Sequence, residues 1–238
     1  MIGDSIFPLR LDGVSFEAGG KRLIDAVSMT IDRGPRTVIL GPNGAGKSLL
    51  LRLCHGLLRP TAGTIAWRGP GNPTRRQALV FQRPVMLRRS AAANIDYALK
   101  LKHIPSAMRA ARVREVLVDT GLTSLAGQPA RSLSIGEQQR LALARAWATA
   151  PEVLFLDEPT ASLDPAATRA VEEIISAIDL SGTKIIMTTH DLAQARRLAD
   201  EILFLHRGRL LEHSPAARFF AGPATREGQA FVAGELLW

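Results

Sequence analysis

The sequence predicts an α/β protein with a parallel β-sheet, and two patterns support this prediction. In the second half of the chain, short apolar runs of strand length alternate with helical segments. In the first half, a short apolar run leads into a glycine-rich segment and then an apolar helix. With 238 residues, 46% of them apolar, the chain fits one compact domain or one domain with a grafted lobe. Disordered and collagen-like classes are excluded.

The N-terminal part of the chain is predicted to be rich in β-structure. Turns are expected at Gly19-Gly20 and Asp32–Pro35, and a strand lies within the Gly- and Pro-rich residues 60–74. The expected strands are Leu9–Leu11, Val14–Phe16, Val27–Ile31, Thr37–Leu40, Gly63–Trp67 and Ala78–Phe81.

The rest of the chain is predicted to be helical at first and alternating afterwards. Ala, Leu and Arg dominate between Ser90 and Ala150, with breaks at Pro105, Gly121 and Gly127–Pro129. The alternation that follows is typical of strand–helix–strand units in a parallel sheet. Its expected elements are strand Val153–Leu156, helix Ala166–Ile178, strand Lys184–Thr188, helix Leu192–Leu198 and strand Glu201–Leu205.

Composition and spacing also limit the class of protein. No apolar run approaches the ~20 residues that cross a bilayer. The segment Met1–Leu11 carries Asp4 and no basic start, so we expect no secretory signal peptide. Cys54 is the only cysteine, which excludes an intrachain disulfide and a cysteine-rich metal site. The expectation is a soluble intracellular protein.

The formal net charge of +8 is unevenly distributed. Between Leu51 and Arg114 there are thirteen Arg or Lys residues and a single acid, Asp96. Such a face would attract nucleic acid, an anionic lipid surface or an acidic protein, and an ordinary solvated surface remains the alternative. Aromatic residues of the kind that stack on bases do not interleave with it, which disfavours nucleic acid.

A phosphate-binding loop is the most specific motif of the chain. Residues 41–48 match G-x-x-x-x-G-K-[ST] in full, between a predicted strand and a predicted helix. Backbone N–H groups of such a loop surround phosphates, Lys47 adds a charge for the β- and γ-phosphates, and the Ser48 hydroxyl can ligate Mg²⁺. The alternative, a glycine-rich turn before a helix, is disfavoured by that context. The predicted nucleotide-binding residues are Gly41, Pro42, Asn43, Gly44, Ala45, Gly46, Lys47 and Ser48.

Two adjacent carboxylates follow the apolar strand Val153–Leu156. Asp157 can hold Mg²⁺ through its water shell, and Glu158 can polarise an attacking water. An acidic turn before Pro159 is the alternative, and beside a complete phosphate-binding loop it is the weaker interpretation.

A third motif lies at the predicted start of a helix, Leu133–Arg140. Ser134 and Glu137 have the spacing of a capping box, which explains them structurally. A capped helix start with a nearby glycine, here Gly136, is also an anion site.

Taken together, these motifs resemble the ATPase subunit of an ABC transporter over roughly residues 9–212. The resemblance implies a P-loop, RecA-like parallel-sheet core with an antiparallel β lobe and a helical lobe at about residues 84–150. It makes residues 1–214 a single ABC-type nucleotide-binding domain and residues 215–238 a short C-terminal tail.

The resemblance also implies roles for individual residues. Gly41–Ser48 is the Walker A motif, Val153–Asp157 Walker B with Glu158 as general base, and Ser162–Asp164 the D-loop. Gln82 is the Q-loop residue, which contacts the γ-phosphate or its metal, and His190 is the switch histidine. Considered alone, either Gln82 or His190 could be an ordinary polar residue at the end of a strand. Ser134, Gly136 and Glu137 belong to the ABC signature, which acts across a head-to-tail dimer on the ATP of the other subunit.

Two positions depart from the family pattern. Ile135 stands where the signature usually has glycine, so a stiff β-branched residue replaces a permissive one. Ala18 stands where the family usually has an aromatic residue that stacks on adenine, with Phe16 the nearest ring. We therefore expect a reshaped contact across the dimer and loose selectivity among nucleotides.

The implied function is ATP-driven transport through a separate membrane permease. The expected location is peripheral, on the cytoplasmic face of the inner membrane. The permease would contact residues 82–130, closest at Pro84–Ile95, and an extracytoplasmic binding protein would act indirectly. The segments Phe81–Leu87 and Cys54–Leu58 are similar to those of oxyanion importers, first tungstate and then phosphate. Two alternatives remain: a soluble ABC-type ATPase acting on nucleic acid or ribosomes, and an interaction module without turnover.

Overall fold

The computed structural model describes residues 5–70 and 72–235. Asp4 in the N-terminal segment, Gly71 in the segment 60–74 and Leu236–Trp238 of the predicted tail lie outside the described residues. No helix among the described residues is both long enough and apolar enough to span a bilayer.

Strands predominate in the first part of the described chain, and strands alternate with helices after about residue 150. The strands are β1 (Leu9–Ala18), β2 (Lys21–Ile31), β3 (Thr37–Leu40), β4 (Ala62–Trp67), β5 (Gln77–Val80), β6 (Val153–Asp157), β7 (Lys184–Thr189), β8 (Glu201–His206) and β9 (Arg209–Pro215). The helices are α1 (Lys47–His55), α2 (Ala91–Leu101), α3 (Ser106–Asp119), α4 (Ile135–Trp147), α5 (Pro165–Leu180), α6 (Leu192–Leu198), α7 (Ala216–Ala221) and α8 (Arg226–Val232).

The chain divides into two compact units. The first, here the phosphate-loop unit, comprises the described residues up to Gln77 and those from Lys184 onward. The second, here the helical unit, comprises Ala78–Thr183. The predicted helical lobe at residues 84–150 falls inside the helical unit, which also contains β6 and α5.

An antiparallel sheet with strand order β2-β1-β4 forms one part of the phosphate-loop unit. The two predicted strands Leu9–Leu11 and Val14–Phe16 are joined into the single strand β1. Gly13, with a φ of 57°, interrupts the regular strand backbone between them. A register shift between Leu11 and Val14 accommodates this residue, so the strand continues through it. Two separate strands were therefore the wrong prediction for this segment.

Four neighbouring strands of a second, six-stranded sheet lie in the same unit, in the order β7-β3-β8-β9. The strands β7 and β8 flank β3 in parallel, and β9 pairs antiparallel with β8. All four residues of β3 are buried, as its continuous apolar sequence predicts. The hairpin strand β9 was not predicted from the sequence. Its turn contains Arg207 and Gly208 at φ values of 47° and 77°, the pair of positive φ values that a tight two-residue hairpin needs.

The segment predicted as a short tail contains two short helices, α7 and α8, held against β8 and β9. The Phe204 ring lies 5.5 Å from that of Phe219 and 5.4 Å from that of Phe231. The buried Glu212 carboxylate accepts hydrogen bonds from the backbone N–H of Ala224 at 3.0 Å and from that of Thr225 at 2.8 Å. A carboxylate of β9 therefore satisfies donors at the start of α8 that would otherwise be unpaired.

We predict that Glu212→Ala lowers the free energy of unfolding by about 2–3 kcal/mol, because several donors to a carboxylate lose their acceptor. Faster amide hydrogen exchange should be confined to residues around Thr225. Chemical denaturation and hydrogen-exchange mass spectrometry measure both effects. Glu227→Ala, a like truncation in the first turn of α8, is the matched control and should cost less than about 1 kcal/mol. Equal stability of the two variants would contradict the prediction.

The helical unit is organised around α4, which packs against α2, α3 and α5, while β5 and β6 are neighbouring strands. Asn94, fully buried on α2, accepts from the backbone N–H of Leu87 at 3.0 Å and donates to the carbonyls of Arg89 and Ser90 at 3.3 and 3.0 Å. The irregular segment before α2 therefore has a fixed path. The indole N–H of Trp147 donates to Ser181 Oγ at 3.2 Å and links the ends of α4 and α5.

Cys54 is buried in α1, and burial raises the pKa of its thiol to about 12. A thiol that does not ionise near neutrality is neither a nucleophile nor a metal ligand. This residue belongs to the packing of the phosphate-loop unit.

Candidate functional site

The phosphate-binding loop connects β3 to α1 in the phosphate-loop unit. Lys47, the first residue of α1, is buried, and its Nζ donates to the carbonyl of Gly41 at 3.0 Å and to that of Pro42 at 3.1 Å. The backbone of the loop therefore fixes the position of the Lys47 ammonium group. Gly46 has a φ of 99°, and a Cβ there would come within 2.8 Å of the Ile24 side chain. Only glycine fits this position, as the motif predicts.

His190 follows β7 in the same unit. β7 pairs in parallel with β3, and the last pair in their register joins Leu40 to Thr189. The residues that follow these two strands, Gly41 and His190, therefore leave the sheet at the same edge, where ligands of α/β proteins bind. His190 is exposed, and Asp191 caps α6 by accepting from its first-turn N–H groups. The structure brings the phosphate-binding loop and the predicted switch histidine to one edge.

The paired carboxylates lie in the helical unit. Asp157 is the last residue of β6 and is 3% exposed. Glu158 is half-buried with a φ of 45°, so the backbone turns sharply between the two residues. The Glu158 carbonyl accepts from the N–H of Ala161 at 3.1 Å. A non-glycine residue in this conformation is uncommon, and such positions concentrate at functional sites.

The signature segment forms the start of α4, and the capping box predicted from its spacing is confirmed. Ser134 Oγ accepts from the N–H of Glu137 at 3.3 Å. The Glu137 carboxylate accepts in return from both the N–H and the hydroxyl of Ser134, each at 2.8 Å. These bonds, with the charge of Arg140, hold the pKa of Glu137 below its usual value despite a small opposing effect of burial.

A groove of about 830 Å³ in the helical unit joins this helix start to the segment Ser162–Asp164. Gly136 lies at the point where α4 meets α5, and a Cβ on Gly136 would come within 2.8 Å of the Ala167 Cβ. Ser162 has a φ of 66°, and Asp164 caps α5 by accepting from the N–H of Ala167 at 2.9 Å. Two of the predicted motifs therefore line one groove.

Sequence reasoning missed the role of α5 in shaping this groove. Ala166, Ala167 and Ala170 line it, and small side chains there leave room beside the signature segment. The signal was present in the alanines of the first turns of α5, but alanine is common in helices and does not by itself indicate a groove.

Ile135 does not distort the signature segment. It is the first residue of α4, where the backbone is helical and glycine's wider conformational range is not needed. Its side chain is 65% exposed and lines the groove. The departure from glycine therefore changes the surface that the groove presents and leaves the backbone path unaltered.

Gln82 is exposed in the segment that follows β5. Two arginines of the helical unit hold the next residues: Arg131 donates to the carbonyl of Met86 at 3.1 Å, and Arg145 to that of Val85 at 2.9 Å. Val85 itself is 70% exposed. Burial lowers the pKa of Arg145, which remains charged near neutrality. Sequence reasoning did not identify these arginines, because both act on carbonyl groups far away in the chain.

No cluster of three or more His, Cys, Asp or Glu side chains that could hold a metal ion occurs within residues 5–70 and 72–235. The Mg²⁺ ligands predicted from the sequence are Ser48, Asp157 and Gln82. Only Asp157 is one of these four residue types, so the predicted ligands would not form a cluster of this kind. Ala18, at the position expected for a stacking aromatic, is exposed at the end of β1.

A family model described as ABC transporter matches residues 24–161 of the chain, which include the phosphate-binding loop, the signature segment and both carboxylates. The chain belongs to the ABC transporter family. This confirms the resemblance, and with it the expectation of an ATP-hydrolysing, transport-coupled subunit.

Curated ABC transporter relatives match most of the chain. "Phosphate import ATP-binding protein PstB 2" of Natronomonas pharaonis is 36% identical, covering 97% of this chain and 88% of that protein. "Tungstate uptake system ATP-binding protein TupC" of Peptoclostridium acidaminophilum is 40% identical over 82% of this chain and 92% of its own length. "Methionine import ATP-binding protein MetN" of Nocardia farcinica is 39% identical over 90% of this chain and 68% of its own length.

A solved ABC structure has the same fold. The cbiO1 subunit of Clostridium perfringens, described as part of the ABC transporter complex cbiONQ, superposes with a TM-score of 0.80 at 28% identity and covers 90% of each chain. The predicted α/β class, with a parallel-sheet core and an antiparallel β lobe, is confirmed.

Proposed function

We propose that this chain hydrolyses ATP to power a membrane permease that imports an oxyanion, with tungstate as the first candidate. The observation that carries the proposal is the complete set of ABC motifs, in order, on a chain similar over most of its length to ATP-binding subunits named for import. The roles below are proposals for individual residues of that set.

ATP would bind first to the phosphate-loop unit. The residues Gly41, Asn43, Gly44, Ala45, Gly46 and Ser48 would offer backbone N–H groups and the start of α1 to the phosphates, and Pro42, which has no N–H group, would shape the turn of the loop. Lys47 would exchange its hydrogen bonds to loop carbonyls for bonds to the β- and γ-phosphates. The exposed Ala18 supplies little stacking surface for the base, so binding would depend mainly on the phosphates.

The oxygen ligands available in the chain fit Mg²⁺. This ion prefers few protein oxygens and keeps several waters, which suits a hydroxyl from Ser48, a carboxylate from Asp157 and an amide oxygen from Gln82. When bound with ATP it would neutralise charge on the phosphates.

Glu158 would act as the general base. Its carboxylate would take a proton from the water whose oxygen attacks the γ-phosphorus, while the bond to the β–γ bridging oxygen breaks and ADP leaves. His190 and Gln82, each just beyond a strand end, would contact the γ-phosphate or its metal and sense its loss.

The ATP-bound form would be a head-to-tail homodimer. The phosphate-binding loop of one subunit and the signature segment of the other would enclose each ATP, with Ser134 and Gly136 contacting it and Glu137 positioned beside Ser134. The groove along α4 and α5 supports this assignment, because it exposes the start of α4 beside Ser162–Asp164.

A permease would contact the basic region of residues 82–130, closest at Pro84–Ile95. The exposed Val85 and its arginine-anchored carbonyl give this segment a defined surface. The protein would therefore sit peripherally on the cytoplasmic face of the inner membrane, where a basic face suits anionic lipid. Residues 1–214 would act as one nucleotide-binding domain, residues 84–150 as its helical lobe and residues 215–238 as a short addition. An extracytoplasmic binding protein would select the cargo.

Tungstate is preferred to phosphate and methionine on two grounds. The relative named for tungstate uptake has higher identity than the one named for phosphate import, and the chain covers more of its length than of the methionine relative. The segments Phe81–Leu87 and Cys54–Leu58 also resemble oxyanion importers. The net charge of +8 supports a second candidate, a soluble ABC-type ATPase acting on nucleic acid or ribosomes.

The test is co-purification from solubilised native membranes in the presence of ATP, with Glu158→Gln as bait. A variant that binds ATP without hydrolysing it should remain on its partner for longer. Lys47→Ala, which loses the phosphate-binding charge, is the control that should recover less partner. We expect mass spectrometry to identify a multi-span membrane protein enriched by the first variant only.

The permease identified in this way then permits a test of cargo. Reconstituted with the unsubstituted chain and the binding protein, it should support faster ATP hydrolysis when tungstate is added, and phosphate or methionine should have a smaller effect. Stimulation by methionine alone would replace the proposed cargo and leave the transport role intact. Recovery of ribosomal or nucleic-acid-associated material alone would overturn the transport role.

A further inference from the structure

The start of α4 contains an interaction that the ATPase function alone does not require. Both hydrogen-bond donors of Ser134, the hydroxyl and the backbone N–H, point to the same oxygen of Glu137, Oε2, at 2.8 Å each. The hydroxyl oxygen in turn accepts from the N–H of Glu137. The serine hydroxyl hydrogen is therefore committed to a carboxylate.

That carboxylate is ionised near neutrality. The hydrogen bonds from Ser134 hold the pKa of Glu137 below its usual value, and the nearby Arg140 contributes. Arg140 also lines the groove, but its guanidinium donates to the carbonyls of Thr120 and Gly121 at 3.2 and 3.1 Å, whereas the Glu137 carboxylate accepts its hydrogen bonds from Ser134. A negative charge thus remains in the groove beside the serine.

A phosphate that binds the Ser134 hydroxyl must compete with this arrangement. To donate to a phosphate oxygen, the hydroxyl hydrogen must leave Glu137 Oε2. Because the hydroxyl oxygen lies 2.8 Å from Oε2, the phosphate oxygen would then lie no more than about 5.5 Å from it. Two negative groups at that separation repel each other, and salt screens the repulsion.

We propose that Glu137 acts on ATP indirectly, as a latch that occupies the Ser134 hydroxyl and weakens docking of an ATP-loaded partner subunit. It is a positioning residue for the trans contact, and it sets how much ATP-bound protein is needed before the dimer closes. The proposal rests on the trans site of the proposed function and adds regulation to it.

The variant Glu137→Gln tests the effect of the negative charge without removing the capping box. Glutamine can complete a capping box as glutamate does, so Glu137→Gln should keep the helix start and the thermal stability. It removes the charge, and its amide oxygen holds the serine hydroxyl less strongly than a carboxylate does. We expect ATP-driven dimerisation to tighten by about tenfold at low salt, with the difference shrinking as salt rises.

The experiment measures dimer dissociation constants by analytical ultracentrifugation, with ATP, over a series of salt concentrations. All proteins carry Glu158→Gln to prevent turnover. Glu137→Gln is compared with the parent and with Glu173→Gln, the same charge change at an exposed position of α5. Glu173→Gln should match the parent at every salt concentration. Circular dichroism melting checks that Glu137→Gln leaves the fold intact.

The outcomes distinguish this proposal from the one it rests on. A tighter, less salt-sensitive dimer for Glu137→Gln alone supports the latch. A parent that dimerises with ATP, and a Glu137→Gln variant of equal or weaker affinity, overturns the latch and leaves the trans site standing. If neither the parent nor Glu137→Gln dimerises with ATP, both proposals are overturned.

Discussion

Glu158→Gln is expected to lower the steady-state rate of ATP hydrolysis at least about 100-fold and to leave ATP binding intact. The reason is chemical: the amide of glutamine cannot accept the proton that the attacking water must lose, and a positioned general base contributes about 10²–10⁴ to such a rate. The half-buried Glu158 follows the buried end of β6 in an uncommon backbone conformation that glutamine can adopt equally well. The effect should therefore be on turnover and not on folding.

Phosphate release under saturating ATP, with nucleotide binding measured separately, checks this expectation. Glu173→Gln, on the exposed face of α5, makes the same chemical change in the same unit and should leave the rate unchanged. If Glu158→Gln kept a rate within about threefold of the parent, another group would have to be the base. If the parent showed no turnover under the same conditions, the chain would be an interaction module that binds ATP as a ligand.

Lys184→Met is expected to lower the free energy of unfolding by about 3 kcal/mol, because it breaks a buried ion pair. The side chain of Lys184 is fully buried at the start of β7. Its Nζ donates to the carbonyl of Pro35 and lies 3.4 Å from Glu201 Oε1. Methionine fills a similar volume but leaves that carbonyl without this donor and the carboxylate without this charge. For a chain of this size the loss corresponds to a fall in Tm of about 6–12 °C.

The Glu201 carboxylate is central to this cluster. Burial acts to raise its pKa, but hydrogen bonds from His213 and Thr37 and the charge of Lys184 outweigh burial, so the pKa lies below its usual value. A lowered pKa means that the carboxylate stabilises the fold above its usual titration range, and that this contribution disappears as the pH falls through the folded-state pKa.

Urea denaturation at neutral pH measures the effect of Lys184→Met. Lys21→Met, at an exposed position of β2, is the control and should change stability by less than about 0.5 kcal/mol. A difference between the two variants of less than about 1 kcal/mol would show that the buried pair contributes little. Neither result would bear on ATP chemistry, because Lys184 lies at the opposite end of β7 from His190.

The functional motifs could be found from the sequence because each is contiguous. The phosphate-binding loop needs glycines at fixed offsets from a lysine, and the structure uses Gly46 at a positive φ beside Ile24. The capping box of Ser134 and Glu137 likewise depends on residues three apart. Local backbone geometry produces both, so the pattern of residue types was sufficient.

The sequence interpretation failed where distant residues decide the structure. The residues of β1 were predicted as two strands because Gly13 interrupts the alternation, but pairing with β2 and β4 on either side holds one continuous bulged strand together. The hairpin strand β9 and the helices beyond it were not predicted, because Phe204 and Glu212 hold them through contacts that no local pattern encodes.

The chemistry of the protein can therefore be predicted from its sequence: a phosphate-binding loop, a pair of carboxylates, a capped signature helix and the family that unites them. These features depend on residue type and short spacing, which the chain carries directly. Tertiary packing is what brings Gly136 to Ala167, joins Glu212 to the N–H groups of Ala224 and Thr225 before α8, and buries Lys184 beside Glu201. Those contacts join residues far apart in the chain, and their energies depend on burial and distance, which exist only once the chain has folded.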